Sequence, residues 1–81
     1  MKTGAVGARQ AVRSATERLE RAGVPEPAAS AEVLLSELLE IGRAEIGFHD
    51  VPVSREQAAL YEAWISRRLQ REPVQRILGY A

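Results

Sequence analysis

Apolar side chains recur at helical intervals through most of the chain, and the intervals divide it into segments. Val12, Ala15, Leu19 and Ala22 fall at i, i+3, i+7 and i+10, which predicts a first helix from about Ala8 to Ala22. Glu17 and Arg21 add an i,i+4 ion pair in the favourable order. Gly23 follows where a helix end takes a left-handed residue. Val24-Pro25-Glu26-Pro27 reads as a connector. Proline disfavours the helical conformation in the residue before it, so Val24 and Glu26 are expected to be extended. Pro27 itself suits the first turn of a second helix, from about Pro27 to Glu40, with Gly42 as its stop. Ala31, Leu34, Leu35, Leu38 and Leu39 form a broad apolar stripe along that helix. Arg43 to His49 is expected to form a short third helix holding Ala44, Ile46 and Phe48, although Gly47 weakens it and the Ile46/Phe48 spacing also suits a strand.

The strongest start signal lies at Ser54-Arg55-Glu56-Gln57, a capping box in which Ser and Gln stand three apart; Val53 and Ala58 flank it as a hydrophobic staple. The helix it opens is expected to reach about Arg71, roughly 25 Å at 1.5 Å per residue, with Ala58, Tyr61, Trp64, Ile65 and Leu69 on one face. Glu72-Pro73 stops it, and Val74 to Leu78 is expected to form a last short helix closed by Gly79. No segment shows convincing period-two alternation over four or more residues, and no Asn-Gly or Asp-Gly hairpin signal occurs. The fold class is all-α: a small bundle of about four to five helices with short connectors, which places neighbouring helices antiparallel or nearly so.

Composition narrows the function classes. The chain has 81 residues, 46% of them hydrophobic and 27% charged, with zero formal net charge and no cysteine. Eighty-one residues make one small domain with little room for a buried substrate pocket. Without cysteine there are no disulfides and no thiolate metal site, and one histidine, His49, cannot build a multi-histidine site. No apolar run is long enough to span a membrane, and Met1 to Gln10 lacks the apolar core of a secretory signal. Neutral charge argues against a dedicated nucleic-acid module. Residues 1–7 carry no periodicity and read as a flexible leader, residues 8–72 as the bundle, and residues 73–81 as a short helix and the start of a linker.

Few residues offer chemistry. His49 beside Asp50 reads as a polar loop rather than a dyad, since sequence neighbours rarely face one another. Glu32, Glu37 and Glu40 lack the histidines that bundle metal sites pair with glutamates and read as a solvated face. Ser14, Ser30, Ser36, Ser54 and Ser66 lie in no nucleophile motif, and the six glycines build no phosphate loop. Tyr61 and Trp64, at helical spacing, read as core, while an exposed Trp64 would instead be a candidate partner contact. Charge is unevenly spread: five acids and one base between Glu26 and Glu45, four bases and one acid between Arg67 and Arg76. The basic flank suits the helix dipole, and it also offers a contact surface for an acidic protein, for RNA phosphates or for another domain of the same polypeptide.

The run Arg67-Arg68-Leu69-Gln70-Arg71-Glu72-Pro73-Val74-Gln75-Arg76-Ile77-Leu78-Gly79 resembles the end of the N-terminal domain in the HemK/PrmC family of release-factor glutamine (N5) methyltransferases. The upstream order is similar too: Ala22-Gly23-Val24, a proline, Ala31-Glu32-Val33-Leu34-Leu35, then Val53-Ser54-Arg55-Glu56-Gln57. The resemblance covers roughly Arg9 to Gly79. Ser30 stands where the family usually has aspartate, Gly42 where a serine would cap the third helix, and Arg71 where glycine is common before Glu-Pro.

The resemblance implies a helical domain that helps a following Rossmann-like domain recognise its protein substrate, a class I peptide release factor methylated at the glutamine of Gly-Gly-Gln. The absent domain would carry the Asn-Pro-Pro-Tyr motif and bind S-adenosylmethionine; the present chain holds neither that motif nor a cofactor loop, so no catalytic, cofactor or metal residue is expected here. Arg67, Arg68, Arg71, Arg76, Ile77 and Leu78 are the expected contacts to the partner or to the catalytic domain. The setting implied is cytoplasmic, away from membranes and without direct nucleic-acid binding. A free-standing helical adaptor and an RNA-contacting module are the competing readings.

Overall fold

A computed structural model describes residues 6–79. Five helices follow the segments set by the apolar spacing: α1 (Ala8–Arg21), α2 (Pro27–Leu39), α3 (Arg43–Phe48), α4 (Arg55–Leu69) and α5 (Val74–Leu78). The domain measures 35 × 24 × 22 Å. Leu19 of α1, Leu34 and Leu35 of α2 and Ile65 of α4 are its largest fully buried helical side chains. Ala8 and Ala15 are also buried, and α1 packs against both α2 and α4. The buried face of α1 therefore runs through Ala8, Ala15 and Leu19, with Ala11 and Val12 beside it; Ala22, expected on the stripe, is exposed beyond the helix end.

Two polar links join the layers, one buried and one at the surface. The Tyr61 hydroxyl of α4 donates to the Ala31 carbonyl of α2 at 2.8 Å. Burial disfavours the phenolate there and pushes the Tyr61 pKa well above its ordinary 10.0. Arg18 of α1 meets Glu62 of α4 fork to fork, at 2.8 and 2.7 Å. The hydrogen bond from Arg18, with its charge, holds the Glu62 carboxyl below 4.5.

The structure departs from the expected all-helical picture at the N-terminus. Val6–Gly7 (β1) pairs antiparallel with Pro52–Val53 (β2), Val6 opposite Val53 and Gly7 opposite Pro52. Two of the residues read as a flexible leader thus join the domain; the others, residues 1–5, lie outside the described residues, as do residues 80–81. A two-residue strand leaves no alternation to detect in sequence, which is why the pair was invisible there. The pairing continues as the Ala8 amide donates to the Val51 carbonyl at 2.8 Å. It brings Asp50 to the start of α1, where its Oδ1 accepts from the Arg9 amide at 3.1 Å. Gly7 has no side chain to cap that helix, so the carboxylate of Asp50, 41 residues beyond Arg9, caps it instead.

Three helices end alike. Gly23, Glu40 and Arg71 adopt φ of 76°, 60° and 72°, and behind each the chain closes a six-to-one hydrogen bond: Val24 amide to Leu19 carbonyl, Ile41 to Ser36, Glu72 to Arg67. Glu40 rather than Gly42 therefore stops α2; Gly42 sits extended before α3. Glu26 is likewise left-handed, at φ 52°, not extended. The clash with proline bars the right-handed helical region to the preceding residue, and Glu26 takes the left-handed alternative while its carbonyl accepts from the Ser30 amide at 3.0 Å. At α4 both halves of the capping box form, Gln57 amide to Ser54 Oγ at 3.1 Å and Ser54 amide to Gln57 Oε1 at 2.9 Å.

Candidate interaction surface

The Arg-Arg-x-x-x-Glu-Pro-Val stretch spans the end of α4 and the start of α5, and its arginines turn inward to their own chain. Arg67 grips the Glu72 carboxylate with Nε at 2.8 Å and a terminal nitrogen at 2.6 Å. That hydrogen bond, the charge of Arg67 and the nearby charge of Arg76 hold the Glu72 carboxyl below its ordinary value. Arg68, half-buried, donates to Ser30 Oγ at 3.1 Å, to the Glu72 carbonyl at 3.2 Å and to the Pro25 carbonyl at 3.5 Å. It thus ties the turn before α5 to the start of α2. Arg71 reaches the Ala22 carbonyl at 3.0 Å and satisfies an open acceptor at the end of α1.

Of the six residues singled out from sequence, then, Arg67, Arg68 and Arg71 clamp the α1–α2 connector and the α4–α5 turn. Arg76 is exposed on α5. Ile77 belongs to the bundle's own core at 5% exposure, because α5 lies against α2 and α4. Leu78 is half-buried and lines an open groove of about 490 Å³ between α2 and α5, together with Ala29, Val33, Pro73 and Val74. Sequence gave no sign of this groove, which takes its walls from helices more than thirty residues apart.

A second arginine group forms where no charge run exists. Arg9, Arg13 and Arg43 line a hollow of about 340 Å³ between α1 and α3, with Val12, Ala44 and Ile46 as its apolar wall. Arg43 pairs with Glu32 at 2.7 Å. The i,i+4 spacing of Arg9 and Arg13 was legible, but the arrival of Arg43 was not. Beside it, Phe48 is 75% exposed, its ring tilted against His49 with centroids 6.3 Å apart. Trp64 is half-buried against the core.

Four of the polar groups that drew notice as candidate chemistry are engaged architecturally: Ser30 accepts from Arg68, the Ser36 hydroxyl donates to the Val33 carbonyl at 3.0 Å, Ser54 caps α4 and Asp50 caps α1. Among the described residues no three His, Asp or Glu side chains gather as a metal site, and no helix is long and apolar enough to cross a membrane.

Fold and surface together define a small helical-bundle domain whose distinctive residues hold a turn and two surface depressions. Residues 10–79 match the PrmC N-terminal domain, and the chain belongs to that family. It is 40% identical over 72 residues to a release factor glutamine methyltransferase of Corynebacterium glutamicum, covering 89% of this chain and 25% of the relative. A protein of the same name from Streptomyces coelicolor is 43% identical over 70 residues, covering 86% and 24% respectively. One from Cereibacter sphaeroides is 38% identical over 73 residues, covering 89% and 26%. The chain therefore spans about a quarter of the length of these relatives. No solved structure matches it.

Proposed function

We propose that this domain is the substrate-recognition part of a cytoplasmic release-factor glutamine methyltransferase, joined to a catalytic domain that binds S-adenosylmethionine. The methyl acceptor in this reading is the glutamine of the Gly-Gly-Gln motif in a class I peptide release factor. Bond-making belongs to the catalytic domain, and the helical domain contributes binding. The observation that carries the reading is the family match over residues 10–79, with relatives of that printed activity in which the matching region is about a quarter of the chain. The engagement of Ser30, Ser54 and Asp50 in a clamp and two caps is consistent with a binding role.

The segment from Glu72 to Gly79 is the proposed junction. Ile77 anchors it to the bundle, while Leu78 in the α2–α5 groove and the exposed Arg76 are offered to the joined domain.

The test is steady-state methylation by the full-length enzyme, with and without residues 6–79. Deletion is expected to raise KM for the release factor by about tenfold or more and to change KM for S-adenosylmethionine by less than about twofold, the mark of lost substrate binding. An unchanged KM for the release factor overturns the reading.

A further inference from the structure

The basic character that the sequence concentrates between Arg67 and Arg76 is mostly consumed by the fold, whereas the hollow between α1 and α3 holds more cations than the carboxylate lining it can neutralise. Arg9 and Arg13 stand one turn apart on α1, about 6 Å along its axis, and Arg43 opens α3 across from them. Arg9 reaches the Gly47 carbonyl with one nitrogen at 3.3 Å. Arg43 holds Glu32 in a pair that remains largely exposed, at 51% and 38%. Arg13 is exposed, and its side chain makes no hydrogen bond or ion pair with any described residue. Three cations against the single carboxylate Glu32 leave the lining with two positive charges in excess. Phe48, the residue after Gly47 in this lining, is the most exposed large hydrophobic side chain among the described residues.

A guanidinium group without a partner among the described residues, an apolar wall and an exposed aromatic side chain together suit a protein segment that brings carboxylates and an apolar side chain at once. We propose that this hollow, with the neighbouring Phe48, docks an acidic, partly apolar segment of the protein substrate. The proposal rests on the substrate-recognition reading and locates its surface. Nucleic acid fits less well. Its binding draws on an extended basic surface, whereas these cations are confined to one hollow that includes Glu32, on a chain of zero net charge.

The test uses the full-length methyltransferase and an intact class I release factor. Arg13→Glu is the principal variant, since Arg13 holds nothing in the fold; Phe48→Ala is the second, and Arg55→Glu, at the exposed start of α4, is the control. Arg13→Glu is expected to raise KM for the release factor by about tenfold, mainly without loss of kcat. Phe48→Ala is expected to raise it severalfold, Arg13→Lys to restore most of the loss, and the control to change it by less than about twofold. Thermal melts of each variant confirm folding. If deleting residues 6–79 raises KM while Arg13→Glu and Phe48→Ala do not, the docking surface lies elsewhere and the recognition reading stands. If the deletion itself has no effect, both fall. If Arg13→Glu instead abolishes salt-sensitive binding of a single-stranded RNA oligomer and leaves KM for the release factor unchanged, the hollow is a nucleic-acid contact and the proposal is overturned.

Discussion

At the scale of single residues, Gly7 and Asp50 form the most exacting pair. A Cβ on Gly7 would overlap Asp50 Oδ1, so the glycine is what lets the carboxylate reach the start of α1. Gly7→Ala is expected to cost about 1–3 kcal/mol, the usual range for overpacking. Asp50→Ala is expected to cost about 1 kcal/mol through loss of the cap. Urea denaturation of the two single variants and the double variant tests whether they act together. Gly7→Ala should cost clearly less once Asp50 is gone, because the clash goes with the carboxylate. Full additivity would mean that the two residues act independently.

At the scale of elements, the helix ends say most. Glu40 occupies a left-handed position where an L side chain costs about 1–2 kcal/mol, while glycine loses part of that advantage to its freedom in the unfolded chain. Glu40→Gly is therefore expected to stabilise the domain by about 0.5–1 kcal/mol in urea melts; a loss of stability would show that the Glu40 side chain carries an interaction of its own. Arg71→Gly should gain less, because the bond to the Ala22 carbonyl goes with the side chain. Glycine at this position would adopt the left-handed conformation without strain. Within α2, Leu35 is fully buried, and Leu35→Ala should cost about 2–5 kcal/mol. A cost under about 0.5 kcal/mol would place that face of α2 outside the core.

At the scale of the whole molecule, the question is how α5 and the α1–α4 layer hold together. Five residues cannot sustain a helix alone, so α5 depends on Ile77 docking between α2 and α4. Amide exchange of the domain should show protection at Ile77 and Leu78 and little at Val74 and Gln75, whose amides open the helix. Uniformly fast exchange through Leu78 would mean that α5 needs the joined domain to form. Acid should loosen the α1–α4 contact. Because Glu62 titrates below 4.5 when paired with Arg18, the unfolded chain takes up its proton first, and the stabilisation is present above that value and lost as pH falls through the folded pKa. The pair is well exposed, so the effect should stay below about 1 kcal/mol. Glu62→Gln should flatten the fall in stability below pH 4.5, and an unaltered slope would show that the pair contributes nothing.

The helices were legible in the sequence because each announces itself locally. The apolar stripes of α1, α2 and α4 follow the helical period, Pro27 and the Ser54/Gln57 box mark starts, and Gly23 and Gly79 mark ends. Ends made by Glu40 and Arg71 were hidden, since neither residue type favours the left-handed conformation that the closing hydrogen bonds impose. Family membership was legible from the order of short motifs, but the work done by those motifs was not. The sequence displays Arg67, Arg68 and Arg71 as a basic flank open to partners; the fold spends them on Glu72, Ser30 and the carbonyls of Pro25 and Ala22. Conversely Arg9, Arg13 and Arg43 form no charge run along the chain and meet only when α3 packs beside α1. Local spacing determines which segments become helices, because the period is a property of neighbouring residues. Which charges remain for a partner depends on contacts between residues far apart in the chain, and only the tertiary structure decides those.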